Sequence, residues 1–255
     1  MRVRVLGCSG GIGGGHLRTT SLLVDKDILV DAGTGVTELS LPEMAAIDHV
    51  FITHSHLDHI AALPLMIDSV ADLRDRPVTV HAAAATLEAI RSHVFNWAIW
   101  PDFSEIAIRG RKVMQYDPIR VGQSFECGTR RITAVPAEHT VPAVGYHLDS
   151  GSGSLVFTGD TTANDLFWAT INRIGNLRYL IIETAFSDRE ESLARASKHL
   201  CPSLLRAELS KLSMAAEVYI THLKPGQIDA IMAEISDLGD AFTPKMLQND
   251  QILEF

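Results

Sequence analysis

Cysteine is scarce: Cys8, Cys127 and Cys201 are widely separated and form no CxxC pair. An odd, scattered set excludes a disulfide framework and a thiolate metal site and fits reduced thiols. No run of about 18 apolar residues occurs, and the opening MRVRVLGCSGG lacks an apolar stretch, so neither a membrane span nor a secretory leader is expected. The expectation is a cytoplasmic protein with no membrane partner. Basic residues are outnumbered as well, 22 Lys and Arg against 31 Asp and Glu, for a net charge of −9. Binding to nucleic acid relies on neutralising phosphates with Lys and Arg, so that partner is disfavoured. The densest basic stretch, Arg109, Arg111 and Lys112, reads as a solvated turn. The glycine-rich LGCSGGIGGGHL lacks the GxxxxGK[ST] of a phosphate loop. It reads either as a flexible turn or as a loop whose backbone approaches substrate, with His16 and Arg18 beside it.

Short β-rich runs alternate with helical patterns. VRVLG is followed by SLLVDKDILVDAG, a hairpin turning at Asp25, Lys26 and Asp27, and by HVFITH before a helix beginning near His59. PVTVHA precedes a helical ATLEAIRSHVF, and RITAVPAEH, VGYHLD and SLVFTGD read as successive strands with a hairpin turn at 150–153. RYLIIETAF, EVYITHL and MLQNDQILEF are expected as further strands between helices. No repeat or linker interrupts the 255 residues, so one α/β domain over 1–255 is expected.

The densest chemistry lies in THSHLDHI, where His54, His56, Asp58 and His59 fall within six positions after a β-branched run. Buried imidazoles and a carboxylate need partners for their polar atoms, and a cation satisfies all four groups together. Nitrogen and carboxylate ligands suit Zn2+, with Mn2+ or Fe2+ compatible with the same set. His49, His81, His93 and His147 lie in no such motif and read as structural or surface residues. Phe95, Trp97, Trp100 and Phe103 read as core or an oligomer contact rather than a stacking face for a base.

THSHLDHI resembles the HxHxDH signature of the metallo-β-lactamase superfamily, and the resemblance runs along essentially the whole chain. It implies an αββα sandwich with further ligands in order at strand ends: His139 after RITAVPAE, Asp160 in LVFTGDT and His222 in EVYITHL. In that reading His54, His56 and His139 hold one divalent ion, Asp58, His59 and His222 the other, and Asp160 bridges them. Asp31 matches an early aspartate that supports the ligands. Paired metals of this kind acidify and orient a water, which makes a protein nucleophile unnecessary.

Within the superfamily, FTGDTTANDLFW, LIIETAF and SKHLCPSLLRAEL resemble the branch containing class II cyclic nucleotide phosphodiesterases and, more distantly, transfer-RNA 3′-processing endonucleases. The signature departs from the cyclic nucleotide enzymes at Ala62, commonly Gly, and at Pro64. The resemblance implies that His199 contacts the scissile phosphate and that Glu183 supports it. Asp58, His199 and Glu183 are the catalytic candidates, Asp58 doubling as a ligand. The expected substrate is a small phosphodiester, most specifically a 3′,5′-cyclic nucleotide. The endonucleases carry a long Gly- and Pro-rich basic arm, and no such insertion is evident here. Thioester or lactone hydrolysis is the further alternative, since the ligands alone do not encode substrate. Redox diiron relatives place glutamate where His56 stands, and a noncatalytic scaffold would have lost ligands. A homodimer is the working expectation.

Overall fold

The computed structural model describes residues 1–14, 16–237 and 243–255. The first part of the chain forms β1 (Arg2–Gly7), β2 (Ser21–Val24), β3 (Ile28–Val30), β4 (His49–Phe51) and β5 (Val78–Ala82). The helices among and after them are α1 (Leu41–Ala45), α2 (Leu57–Ile60), α3 (Leu63–Val70) and α4 (Ala84–His93). Short strands follow: β6 (Ala107–Ile108), β7 (Arg111–Lys112), β8 (Met114–Pro118) and β9 (Ser124–Cys127). The later strands are β10 (Arg130–Pro136), β11 (Val144–Asp149), β12 (Ser154–Phe157), β13 (Leu177–Glu183), β14 (Glu217–Thr221), β15 (Lys245–Met246) and β16 (Ile252–Glu254). Their helices are α5 (Asp165–Ile171), α6 (Glu191–Ala196), α7 (Pro202–Leu209) and α8 (Ile228–Ser236).

Two seven-stranded sheets result, in the orders β16-β1-β2-β3-β4-β5-β8 and β15-β14-β13-β12-β11-β10-β9. Alternation along each strand creates the layers, because successive side chains leave opposite faces. In β3, Ile28 and Val30 join the core between the sheets, with Phe51, Tyr146, Leu155 and Phe157, while Leu29 faces an outer core with Val50, Leu63, Met66 and Ile90. In β13, Ile181 faces inward, while Leu180 and Ile182 pack with Phe167, Trp168, Leu205 and Ile231. The layering is therefore helix, sheet, sheet, helix, as expected. Tyr146 is buried between the sheets and donates its hydroxyl to Ile52 O at 2.8 Å, so this core phenol is satisfied. At one end Arg130 of β10 clamps the β2–β3 turn, with Nη1 3.1 Å from Asp25 and 2.6 Å from Asp27, and Nη2 2.7 Å from the second Asp27 oxygen.

Two local differences from the sequence expectation have physical causes. The helix expected near His59 begins at Leu57 with His56 as its N-cap, and a new helix restarts at Leu63 because Pro64 fits only a first turn. MLQNDQILEF is not one strand: β15 pairs with β14 in the second sheet and β16 with β1 in the first. Asp250, at φ +64°, turns the chain between them, a conformation Asn and Asp tolerate. Arg109, Arg111 and Lys112 lie on an exposed hairpin, as read. All three cysteines are free thiols. Among the described residues no helix is long and apolar enough to cross a membrane.

Candidate metal centre and active site

The carboxyl ends of β3, β4, β10, β12, β13 and β14 converge on one edge of the sandwich, and each delivers a candidate: Asp31, the His54 to His59 motif, His139, Asp160, Glu183 and His222. His54, His56 and His139 offer atoms that all lie within 4.8 Å of one another, and so do Asp58, His59, Asp160 and His222. The structure thus brings together all seven residues singled out for metal.

Hydrogen bonds fix which ring nitrogens are free. Thr53 Oγ1 donates its single proton to Asp31 Oδ2 at 2.8 Å, so at 3.0 Å from His54 Nδ1 it accepts, and the His54 Nε2 lone pair is left bare. His59 Nδ1 donates to Asp31 Oδ2 at 2.7 Å, and His139 Nδ1 donates to Lys198 O at 3.1 Å. Among the described residues, His54 Nε2, His59 Nε2 and His222 Nδ1 are buried with no hydrogen-bond partner. All three surround one carboxylate, lying 3.7, 3.3 and 3.2 Å from oxygens of Asp160. Unpartnered buried nitrogens are rare and unfavourable, and divalent cations between them and Asp160 would satisfy every one. The donor set fits the group.

The electrostatics agree. Burial holds His54 well below the ordinary imidazole value, lowers His56, and takes His139 to about 4 and His222 to about 3, so their lone pairs are available at neutral pH. Burial would raise the Asp160 carboxyl, but His222, His59 and His54 around it hold it well below the usual range. His59 is the exception: burial opposes its charge, yet Asp160 and Asp31 raise it well above the ordinary value. Asp58 is only partly buried, its side chain 26% exposed and Oδ2 3.7 Å from His222 Nε2.

His199 and Glu183 meet beside this cluster. Glu183 Oε1 accepts from His199 Nδ1 at 2.7 Å and from Thr161 N at 3.1 Å, while Oε2 accepts from Leu200 N at 3.2 Å. The His199 ring lies 4.9 Å from that of His139 and 5.1 Å from that of His222. Burial disfavours charge on His199, but Glu183 outweighs it and holds the imidazolium above its ordinary value; burial raises Glu183 itself. His199 is buried just ahead of α7, not on a helix surface. It also forms a third metal-competent set with His139 and Asp160.

Of the other candidates, Arg18 is committed to Glu38 and Asp250 at 2.5 and 2.9 Å, and His16 is exposed. Gly15, in the glycine-rich loop, lies outside the described residues. Phe95 and Phe103 are core and Trp100 packs against that core, whereas Trp97 is 61% exposed. A groove of about 540 Å3 opens beside His139, walled by Ile119, Val121, Thr140 and Pro142, with Arg120 at its side.

Sequence reasoning missed three supports. Thr53 holds Asp31 by both N and Oγ1, at 2.8 Å each. Lys198 adopts φ +54° to aim its carbonyl at His139. Lys224 brings Nζ to 3.5 Å from His222 Nε2. Only the place of Lys224, two residues after a candidate ligand, was a readable signal.

A family model described as the beta-lactamase superfamily domain matches residues 26–235. The chain is 26% identical over 275 residues to a probable 3′,5′-cyclic-nucleotide phosphodiesterase of Yersinia pestis, covering 88% of this chain and 78% of that protein. It is 30% identical over 155 residues to ribonuclease Z of Haloarcula marismortui, covering 58% of this chain and 47% of that protein. The crystal structure of unliganded yeast PDE1 superposes with a TM-score of 0.82 at 18% identity, covering 100% of this chain and 99% of that one.

Proposed function

The chain belongs to the β-lactamase superfamily and is a hydrolase of the metallo-β-lactamase fold, and from that premise we propose that it is a dinuclear metal-dependent phosphodiesterase that opens 3′,5′-cyclic nucleotides to nucleoside monophosphates. His54, His56 and His139 would hold one divalent ion, Asp58, His59 and His222 the other, with Asp160 shared and Zn2+ the metal that suits these donors best. Bound there, such ions supply Lewis acidity, an acidified water and positive charge for a phosphate.

The observation that carries the reading is the buried His199–Glu183 pair at 2.7 Å, set beside the cluster and outside the seven ligands. A proton on His199 suits the departing ribose oxygen, which leaves as a poor, basic alkoxide unless protonated. Glu183 receives Nδ1, so Nε2 is the nitrogen left to serve substrate. Thr161 N and Leu200 N hold the carboxylate in turn, which restricts the ring to one orientation. Asp31 and Thr53 do the same for His59 and His54. The groove lined in part by His139 offers room for a small substrate beside that residue.

A second reading, RNA 3′ processing, draws on the likeness to ribonuclease Z. The net charge of −9 favours the small substrate. The test is a panel: metal-loaded protein against cyclic nucleotides, bis(p-nitrophenyl) phosphate, a thioester, a lactone and precursor transfer RNA. Turnover of cyclic nucleotides without RNA trimming is the expected result; efficient trimming with no cyclic nucleotide turnover reverses the order.

A further inference from the structure

The chain has six lysines, at positions 26, 112, 198, 211, 224 and 245. Lys26, Lys112 and Lys245 are exposed, while Lys198, Lys211 and Lys224 are half-buried. Lys198 pairs with Glu138, and Lys211 pairs with both Asp165 and Glu208 at 2.6 Å. Among the described residues Lys224 is the half-buried lysine with no carboxylate within 4.0 Å. Withdrawing an ammonium from water without a counter-charge is unfavourable, so its position calls for an explanation.

That position is built into the backbone. Lys224 N donates to Ala185 O at 3.2 Å, and its carbonyl accepts from Gln227 N at 3.1 Å. Its Nζ donates to Gly10 O at 2.8 Å and lies 3.5 Å from His222 Nε2. The glycine-rich loop runs beside this segment, with His222 N donating to Cys8 O at 2.8 Å and Gly10 N to Leu223 O at 3.0 Å. A Cβ on Gly10 would fall 2.4 Å from His222 O, so only glycine lets the loop come this close. The loop therefore serves to hold a cation at the edge of the cluster, with the ammonium near enough for its charge to bear on both His199 and His222.

We propose that Lys224 is a substrate-binding residue whose ammonium donates to a non-bridging oxygen of an anionic phosphate. The inference rests on the phosphodiesterase reading above and adds the residue that selects for anionic phosphate over neutral esters. Gly10 O occupies one of its three protons, which leaves two for ligand. A compact ammonium suits a single tetrahedral oxygen, where a guanidinium would demand a bidentate pair.

The experiment uses metal-loaded protein, Lys224→Gln, which retains a donor for Gly10 O, and Lys224→Arg. Lys112→Gln, exposed on its hairpin, controls for net charge. Calorimetric titration with inorganic phosphate should give a Kd about tenfold or more weaker in Lys224→Gln, the loss of one charge-assisted hydrogen bond. KM for bis(p-nitrophenyl) phosphate should rise in parallel, Lys224→Arg should recover part of both, and Lys112→Gln should change neither. In the wild type, phosphate should protect Lys224 from trinitrobenzenesulfonate, read by peptide mass spectrometry, which requires no variant to fold. Unaltered phosphate affinity in Lys224→Gln, no protection, or loss of metal in both variants overturns the role of Lys224. A wild type that neither binds phosphate nor cleaves any phosphodiester, yet turns over the thioester, instead overturns the phosphodiesterase reading beneath it.

Discussion

Nδ1 of His199 lies 2.7 Å from Oε1 of Glu183, and the same carboxylate takes backbone N–H groups from Thr161 and Leu200. A ring held this firmly presents one nitrogen to whatever occupies the cluster beside it.

If that nitrogen protonates a leaving oxygen, His199→Ala should keep its metal while kcat falls about 10²- to 10⁴-fold on a cyclic nucleotide. The defect should shrink on bis(p-nitrophenyl) phosphate, whose acidic phenolate leaves without help. Glu183→Gln should give a smaller loss in the same direction. Equal defects on both substrates would assign His199 to phosphate binding, and loss of metal would move it into the set it forms with His139 and Asp160.

Asp160 has oxygens within 4.0 Å of nitrogens on His54, His59, His139 and His222, whereas Asp31 reaches the cluster only through His59 and Thr53. Elemental analysis should find the pair of ions lost in Asp160→Ala. Asp31→Ala should weaken metal affinity by about 10- to 100-fold, as for other groups that orient a ligand. Equal loss in the two variants would contradict a bridging role.

Lys198 serves His139 through its carbonyl at φ +54°, so the backbone matters more than the ammonium. Lys198→Gly deletes the ion pair with Glu138 but favours the left-handed conformation, and should keep metal affinity within about threefold. Lys198→Val cannot hold that conformation and should lose about tenfold or more. Metal titration of the two variants decides; the opposite ranking would assign the effect to the ion pair.

The Arg130 clamp makes a stability prediction with a defined pH window. Its hydrogen bonds lower the Asp27 carboxyl below the ordinary value. A depressed carboxyl stabilises the fold above its unfolded pKa of about 3.9 and loses that stabilisation as pH falls through the folded value. Arg130→Met should therefore destabilise by about 1 kcal/mol at pH 7, a figure reduced for solvent screening of this part-exposed pair. The gap between the two denaturation curves should narrow as pH falls below the unfolded pKa and close once it has passed through the folded value. A gap that persists there would show that Arg130 acts through the packing of its stem.

The seven ligand candidates were legible because each sits in a short signature at the end of a strand, where residue type alone carries the chemistry. The layering was legible for a related reason: Ile28, Leu29 and Val30 alternate between two cores, and alternation survives in one dimension. What escaped depends on backbone direction or on long-range register. A carbonyl has no residue signature, so nothing in SKHLCP marks the turn that aims Lys198 O at His139. The Thr53 hydroxyl reads as one more β-branched strand residue until its bonds to Asp31 are seen. The final ten residues look like one strand, and only the pairing of β15 and β16 with different sheets divides them.

The division of the cluster between the sheets has a consequence for the life of the chain. His54, His56, Asp58 and His59 follow β4 of one sheet, while His139, Asp160 and His222 follow β10, β12 and β14 of the other. Cations held as proposed would bind only when both sheets are in place, so occupancy and folding become linked equilibria. A free cation concentration a thousandfold above its dissociation constant would add about 4 kcal/mol to stability. Starved of metal, the same chain would lose that added stability and spend more time open to proteases, so its abundance as well as its activity would follow cation supply.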